Sequence, residues 1–151
     1  MFQYLFQHLG QFGAVVALIG IWAVISFAVS GAWRSLARSY PDDRRPIREV
    51  FRFKSAQFRS WASYNNCVNF SADQQGIRLS VVFLFRVGHP PISIPWSDVL
   101  FKPASATPPN RAVLTFRKNP DVPVTVNRPL AERLLAAGGR SLAAATDQLQ
   151  A

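Results

Sequence analysis

The chain has 151 residues, 49% of them hydrophobic, with 17 Lys and Arg against 8 Asp and Glu, a formal net charge of +9 and a mean hydropathy of +0.08. These averages mix two materials, because residues 1–33 contain no Lys, Arg, Asp or Glu and all formal charge lies from Arg34 onward. A single cysteine excludes an intrachain disulfide and a thiolate cluster, and the two histidines, His8 and His89, flank an apolar run and offer no metal-ligand spacing.

Phe12 to Trp33 reads "FGAVVALIGIWAVISFAVSGAW", with two serines as its only polar side chains. As a helix it covers about 33 Å, enough for a hydrocarbon core of about 30 Å, so residues 12–33 are expected to form a transmembrane helix. A cleaved signal peptide is the rival reading. Against it, "MFQYLFQHLGQ" lacks a positive n-region and the apolar run is long for an h-region. Gly13, Ala17 and Gly20 lie roughly on one helical side, with Ala14 and Ala28 as further small positions that allow close helix packing.

Between Arg34 and Arg59 there are eight basic residues (Arg34, Arg38, Arg44, Arg45, Arg48, Arg52, Lys54, Arg59) and three acidic ones (Asp42, Asp43, Glu49). The positive-inside rule therefore predicts a short extracytoplasmic N-terminus over 1–11 and a cytoplasmic remainder. Phe2, Tyr4 and Phe6 are expected at the outer interface, and Trp33 and Tyr40 at the inner one. Residues 34–49, with two prolines and dense charge, read as a basic juxtamembrane connector.

From Val50 the period becomes that of strands. "VFRFKSAQFR" alternates, "CVNFSA" is a short strand, and "ADQQGI" is a turn in which Gly76 is available for positive φ. "IRLSVVFLFR" reads as one strand with Ile77, Leu79, Val81, Phe83 and Phe85 on one face, leaving Val82 and Leu84 on the other. In "GHPPISIPW" three prolines confine Ile92, Ile94 and Trp96 to a constrained strand connection rather than an active site. "WSDVLFKPA", a Pro/Ser/Thr loop, "RAVLTFRK", an "NPD" turn and "VPVTV" follow. "NRPLAERLLAAGG" has an N-cap in Asn127, Pro129 in its first turn, the stripe Leu130, Leu134 and Leu135, and a glycine stop. The domain is therefore expected over 50–139, with a tail at 140–151.

Six or seven strands before one helix predict an α+β domain. That order, with "GIRLSV", "PISIPWSDV" and the C-terminal helix, resembles the membrane-anchored bacterial members of the pleckstrin-homology-like group. The residues that carry the likeness are Gly76, Ile94, Pro95, Trp96 and Asp98, and it extends from Val50 to Gly138. It implies a small antiparallel sheet or barrel capped by the C-terminal helix, on a fold that hosts lipid binders, protein adaptors and scaffolding alike. The basic cluster of phosphoinositide binders is represented only by Arg52, Lys54 and Arg59, so no phosphoinositide specificity is carried over.

No G-x-S-x-G, H-E-x-x-H or Walker A spacing occurs, and Asp73, Asp98, Asp121 and Glu132 fall in turns or at a helix start. Cys67, amid "CVNF", reads as a buried thiol. No enzyme activity, cofactor or metal is expected, and no nucleic-acid partner, since no recognition helix or stacking platform is visible. The expected role is docking. Arg34, Arg38, Arg44, Arg45 and Arg48 would meet anionic lipid headgroups, and Leu84, Trp96 and Phe101 an integral-membrane or membrane-associated protein. The alternative is an accessory or assembly subunit of a large membrane complex.

Overall fold

The computed structural model describes residues 2–47, 49–103, 109–141 and 145. Helix α1 runs Phe2–Val29, and after Ser30 helix α2 runs Gly31–Ser39. The helical bonds pass through the break, Ser30 N to Ser26 O at 3.1 Å and Arg34 N to Ser30 O at 2.8 Å. The axes nevertheless diverge by 54°. A Ser-Gly pair explains the bend, because Ser30 Oγ donates to Phe27 O at 2.7 Å and Gly31 adds no side chain to hold the turn.

Seven strands follow: β1 Glu49–Phe58, β2 Ala62–Ala72, β3 Gly76–Val81, β4 Ile92–Pro95, β5 Val99–Pro103, β6 Arg111–Phe116 and β7 Asn119–Asn127. They form one antiparallel sheet in the order β4-β3-β2-β1-β7-β6-β5. β1 joins its two halves: Glu49 to Phe51 pair with the end of β2, whereas Gln57 and Phe58 pair with both β2 and β7. The register shifts on either side of Lys54 bend the strand, and there Phe53 takes φ 54°. The sheet thus curls into a near-barrel with β4 and β5 as its open edges.

Helix α3, Arg128–Ala137, packs on β2, β6 and β7. It begins as its sequence dictates, with the Asn127 side chain accepting from Leu130 N at 3.1 Å. Leu130, Ala131, Leu134 and Leu135 enter the core. So do Ala32, Trp33, Leu36 and Tyr40 from α2 and its C-cap, which fill the curl beside Phe58, Leu79, Ile92 and Phe116.

Four local expectations change. Residues 12–33 are not one unbroken helix: the exposed apolar helix ends at Val29, and Trp33, expected at a lipid interface, is fully buried in the domain. Residues 34–49 are not all connector, since 34–39 are α2 and the stretch after Pro41 is tied to the sheet. The strand expected over 77–86 stops at Val81, because Val82 N to Cys67 O is the last rung and residues 83–85 turn into a short 3-10 helix. Phe83 therefore leaves the core face. Gly76 is needed for a close approach and not for positive φ: a Cβ there would lie 2.2 Å from Ile94 O on β4.

Candidate membrane-facing site

The largest exposed apolar surface among the described residues is α1 itself, where Phe12, Val15, Val16, Leu18, Ile19, Ile21, Val24, Ile25 and Phe27 are all mostly exposed. Among the described residues no single helix is long and apolar enough to cross a membrane, whereas Phe12–Ala28 and Gly31–Ser39 together, as a bent pair, have the length and composition. Of that pair α2 is committed to the domain. Trp33 and Leu36 are fully buried, and Trp33 Nε1 donates to Pro90 O at 2.7 Å.

Around Trp33 an aromatic cluster ties three parts of the chain together. Its ring centroid is 5.0 Å from Phe58 on β1, 5.8 Å from Tyr64 on β2 and 5.6 Å from His89. Tyr64 Oη and His89 Nε2 are 2.8 Å apart, and His89 Nδ1 is 2.9 Å from Val87 O. A carbonyl only accepts, so Nδ1 carries the proton and Nε2 accepts from the Tyr64 hydroxyl. Burial holds the His89 pKa below 6.5, with the nearby Arg34 charge adding to it and backbone carbonyls opposing it. Burial also pushes Tyr64 up to about 12 and raises the Cys67 thiol.

The β3–β4 loop, residues 82–91, is thereby fastened against the α1–α2 kink. Gly88, at φ 76°, sits where a Cβ would approach Ser30 Oγ to 2.9 Å, so the glycine answers both a left-handed backbone and a lack of space. Phe85 meets Trp22 of α1 at 5.8 Å between ring centroids. At the tip Phe83 is 82% exposed, Leu84 69% and Val87 50%. An oily loop held in one shape beside an oily helix differs from an unstructured apolar tip.

The expected headgroup arginines separate. Arg34 lays its guanidinium 3.9 Å from the Phe27 ring centroid, beside the last carbonyls of α1, where a cation is favoured. Arg38 and Arg44 are exposed. Arg45 is used inside the molecule: it pairs with Asp43, approaches Asp73 at 3.8 Å and donates to Gln75. Asp42 accepts from Arg78 at 2.5 Å, and Ser93 Oγ shares its one proton between Asp42 at 3.0 Å and Asp43 at 2.9 Å, so these acids fasten 41–45 to β3 and β4. Burial raises the Asp43 pKa, but the bonds from Ser93 and Arg45 and the Arg45 charge outweigh it and leave the carboxyl below its usual value. Arg48 lies outside the described residues.

Of the expected protein contacts only Leu84 is exposed. Trp96, 4% exposed, donates from Nε1 to Asp73 O at 2.6 Å and lies under Gly138, while Phe101, 2% exposed, packs 6.4 Å from the Trp96 ring. Both are core residues with no surface to offer a partner. Phe83, expected on the core face, is exposed on the loop with Val87, and Val50, Phe53 and Trp61, which no sequence pattern singles out, are exposed on β1 and its turn. Nothing in a period-two pattern marks Phe53, because a bulge reverses its face. Among the described residues no three His, Cys, Asp or Glu side chains converge as a metal site would require. No family model, curated protein or solved structure matches the chain.

Proposed function

We propose that this chain is a single-pass membrane protein of the bacterial inner membrane, N-terminus outside, whose cytoplasmic pleckstrin-homology-like domain docks a protein partner close to anionic lipid without catalysing a reaction. The observation that carries the reading is the continuity of α1 and α2: an exposed apolar helix runs through one bend into a helix that is core of the domain. By length alone α1, over Phe2–Val29, extends about 42 Å, more than the about 30 Å of a hydrocarbon core. The anchor therefore meets the domain without a flexible tether, which fixes the orientation of the domain to the surface. A fixed orientation suits docking, since the same face always meets the partner. The strand order and the helix after β7 support the pleckstrin-homology-like assignment. Arg34, Arg38 and Arg44 supply the charge that favours an anionic leaflet, and Val50 and Phe53 are the exposed apolar candidates for the partner.

A second reading, an accessory subunit of a membrane complex, is favoured by Gly13 and Gly20, whose absent side chains leave open space along α1 for another helix. One experiment separates the two. The full chain and a shortened chain of residues 1–33 are purified from native membranes in nanodiscs and compared by mass spectrometry. A partner retained only by the full chain supports docking through the domain. A stoichiometric set retained by both supports the subunit reading, and no partner above background with either sinks both.

A further inference from the structure

We propose that the β3–β4 loop is a second membrane contact, a rigid wedge whose Phe83, Leu84 and Val87 lie in the interfacial layer of the bilayer alongside the last turns of α1. The inference rests on the reading of α1 as the membrane anchor. Trp22, which meets Phe85, stands about two helical turns before Val29, or about 10 Å along the axis. The tip of the loop thus flanks the end of α1, while its His89 end is fastened to the domain. At that depth a bilayer changes from headgroups to acyl chains, the layer in which amphipathic elements and aromatic residues settle.

Three observations favour lipid as the occupant. The exposed loop residues are continuous, through Trp22 and Phe85, with the exposed apolar flank of α1, which the same bilayer would cover. The charge is also suitable: no Asp or Glu occurs from Gln74 to Ser97, Arg86 is exposed on the loop, and Arg34 lies over Phe27 at the same end of α1. Finally, the shape is built in advance. Phe85 N bonds Val82 O at 2.9 Å, His89 N bonds Arg86 O at 3.0 Å, and the His89 ring and the Pro90 carbonyl are held by Tyr64 and Trp33. A loop that is already ordered loses little freedom on entering the interface.

The wedge and the anchor can be read separately in the full chain with Cys67→Ala. Single cysteines replace Leu84, Val87, Val16 on α1 or Lys102 on β5, and each is labelled with an environment-sensitive fluorophore. Proteoliposomes of phosphatidylcholine and phosphatidylglycerol are then prepared with lipids brominated near the headgroup or deep in the chain, and aqueous iodide is tested in parallel. The expected result is loss of fluorescence at Leu84 and Val87 with shallow bromine, loss at Val16 with deep bromine, and loss at Lys102 with iodide alone. Deep quenching at Val16 with iodide quenching at Leu84 and Val87 overturns the wedge and leaves the anchor. Leu84 and Val87 shielded from both lipid and iodide also overturn it, in favour of a protein contact such as a second copy. Val16 open to iodide overturns the anchor, and the wedge with it.

Discussion

His89 joins two pieces of chain that no local pattern connects, a β2 tyrosine and the backbone of its own loop. Its neutral form is the one that fits, because Nε2 must accept from Tyr64 while Nδ1–H donates to Val87 O. Protonation would turn Nε2 into a donor and leave the buried Tyr64 hydroxyl proton to find another acceptor. The folded pKa lies below 6.5, so around and below that pH the unfolded chain takes up a proton that the folded chain resists. Stability attributable to His89 is therefore complete above about pH 6.5 and falls as the pH drops through that value toward the lower folded pKa. Denaturant unfolding between about pH 8 and about pH 5 is expected to show a steeper acid loss for the wild type than for His89→Gln. Equal slopes would remove His89 from the account. The stretch "GHPPISIPW" is thus architecture at the level of single atoms: the histidine pins the loop, Pro90 O receives Trp33, and Trp96 seals Asp73 and Gly138.

Among the elements α2 departs most from its sequence appearance. Its first residues continue an apolar run and it carries Arg34 and Arg38, yet Ala32, Trp33 and Leu36 form one buried face that closes the curled sheet. α2 is also held at its middle, by Asn119 Nδ2 donating to Ser35 Oγ at 3.0 Å, and at its C-cap, by Lys118 N donating to the Tyr40 hydroxyl at 2.9 Å. Trp33→Ala should lower the unfolding free energy by about 3–5 kcal/mol, the cost of a vacated aromatic site. The exposed Trp61, changed to Ala, should stay within about 0.5 kcal/mol of the wild type. Denaturant titration of the two variants checks the contrast, and similar losses would mean that α2 is not core. The strands were easier to read, because alternation over Ile77, Leu79 and Val81 is a local property of a half-buried sheet. Where β3 ends was not local, since it depends on where β2 ceases to offer a partner.

At the scale of the whole molecule the charge is divided by the kink. The residues before Arg34 carry no formal charge, and the +9 lies in the domain and its surroundings. On the proposed topology that distribution orients the chain, because basic segments remain on the cytoplasmic side. A C-terminal epitope should accordingly be cleaved by protease added to inside-out vesicles and survive in spheroplasts. The opposite pattern would put the domain outside and leave the arginines without an anionic-leaflet role. The loop, the kink and the β1–β2 end gather at Trp33, which gives the domain one end built of aromatic rings and another sealed by α3.

By itself the sequence determined the apolar first helix, the alternating strands and the capped last helix, because periodicity, caps and the absence of charge act over neighbouring residues. It also limited the chemistry, through its few histidines and single cysteine. Only the tertiary structure decided what covers each apolar side chain. Trp33 reads as interfacial and Trp96 and Phe101 as surface, yet all three are core, while Phe83 reads as core and is exposed. The hydrophobic effect rewards removal from water without naming the cover, whether lipid, sheet or helix, and that choice is made by contacts between residues distant in the chain.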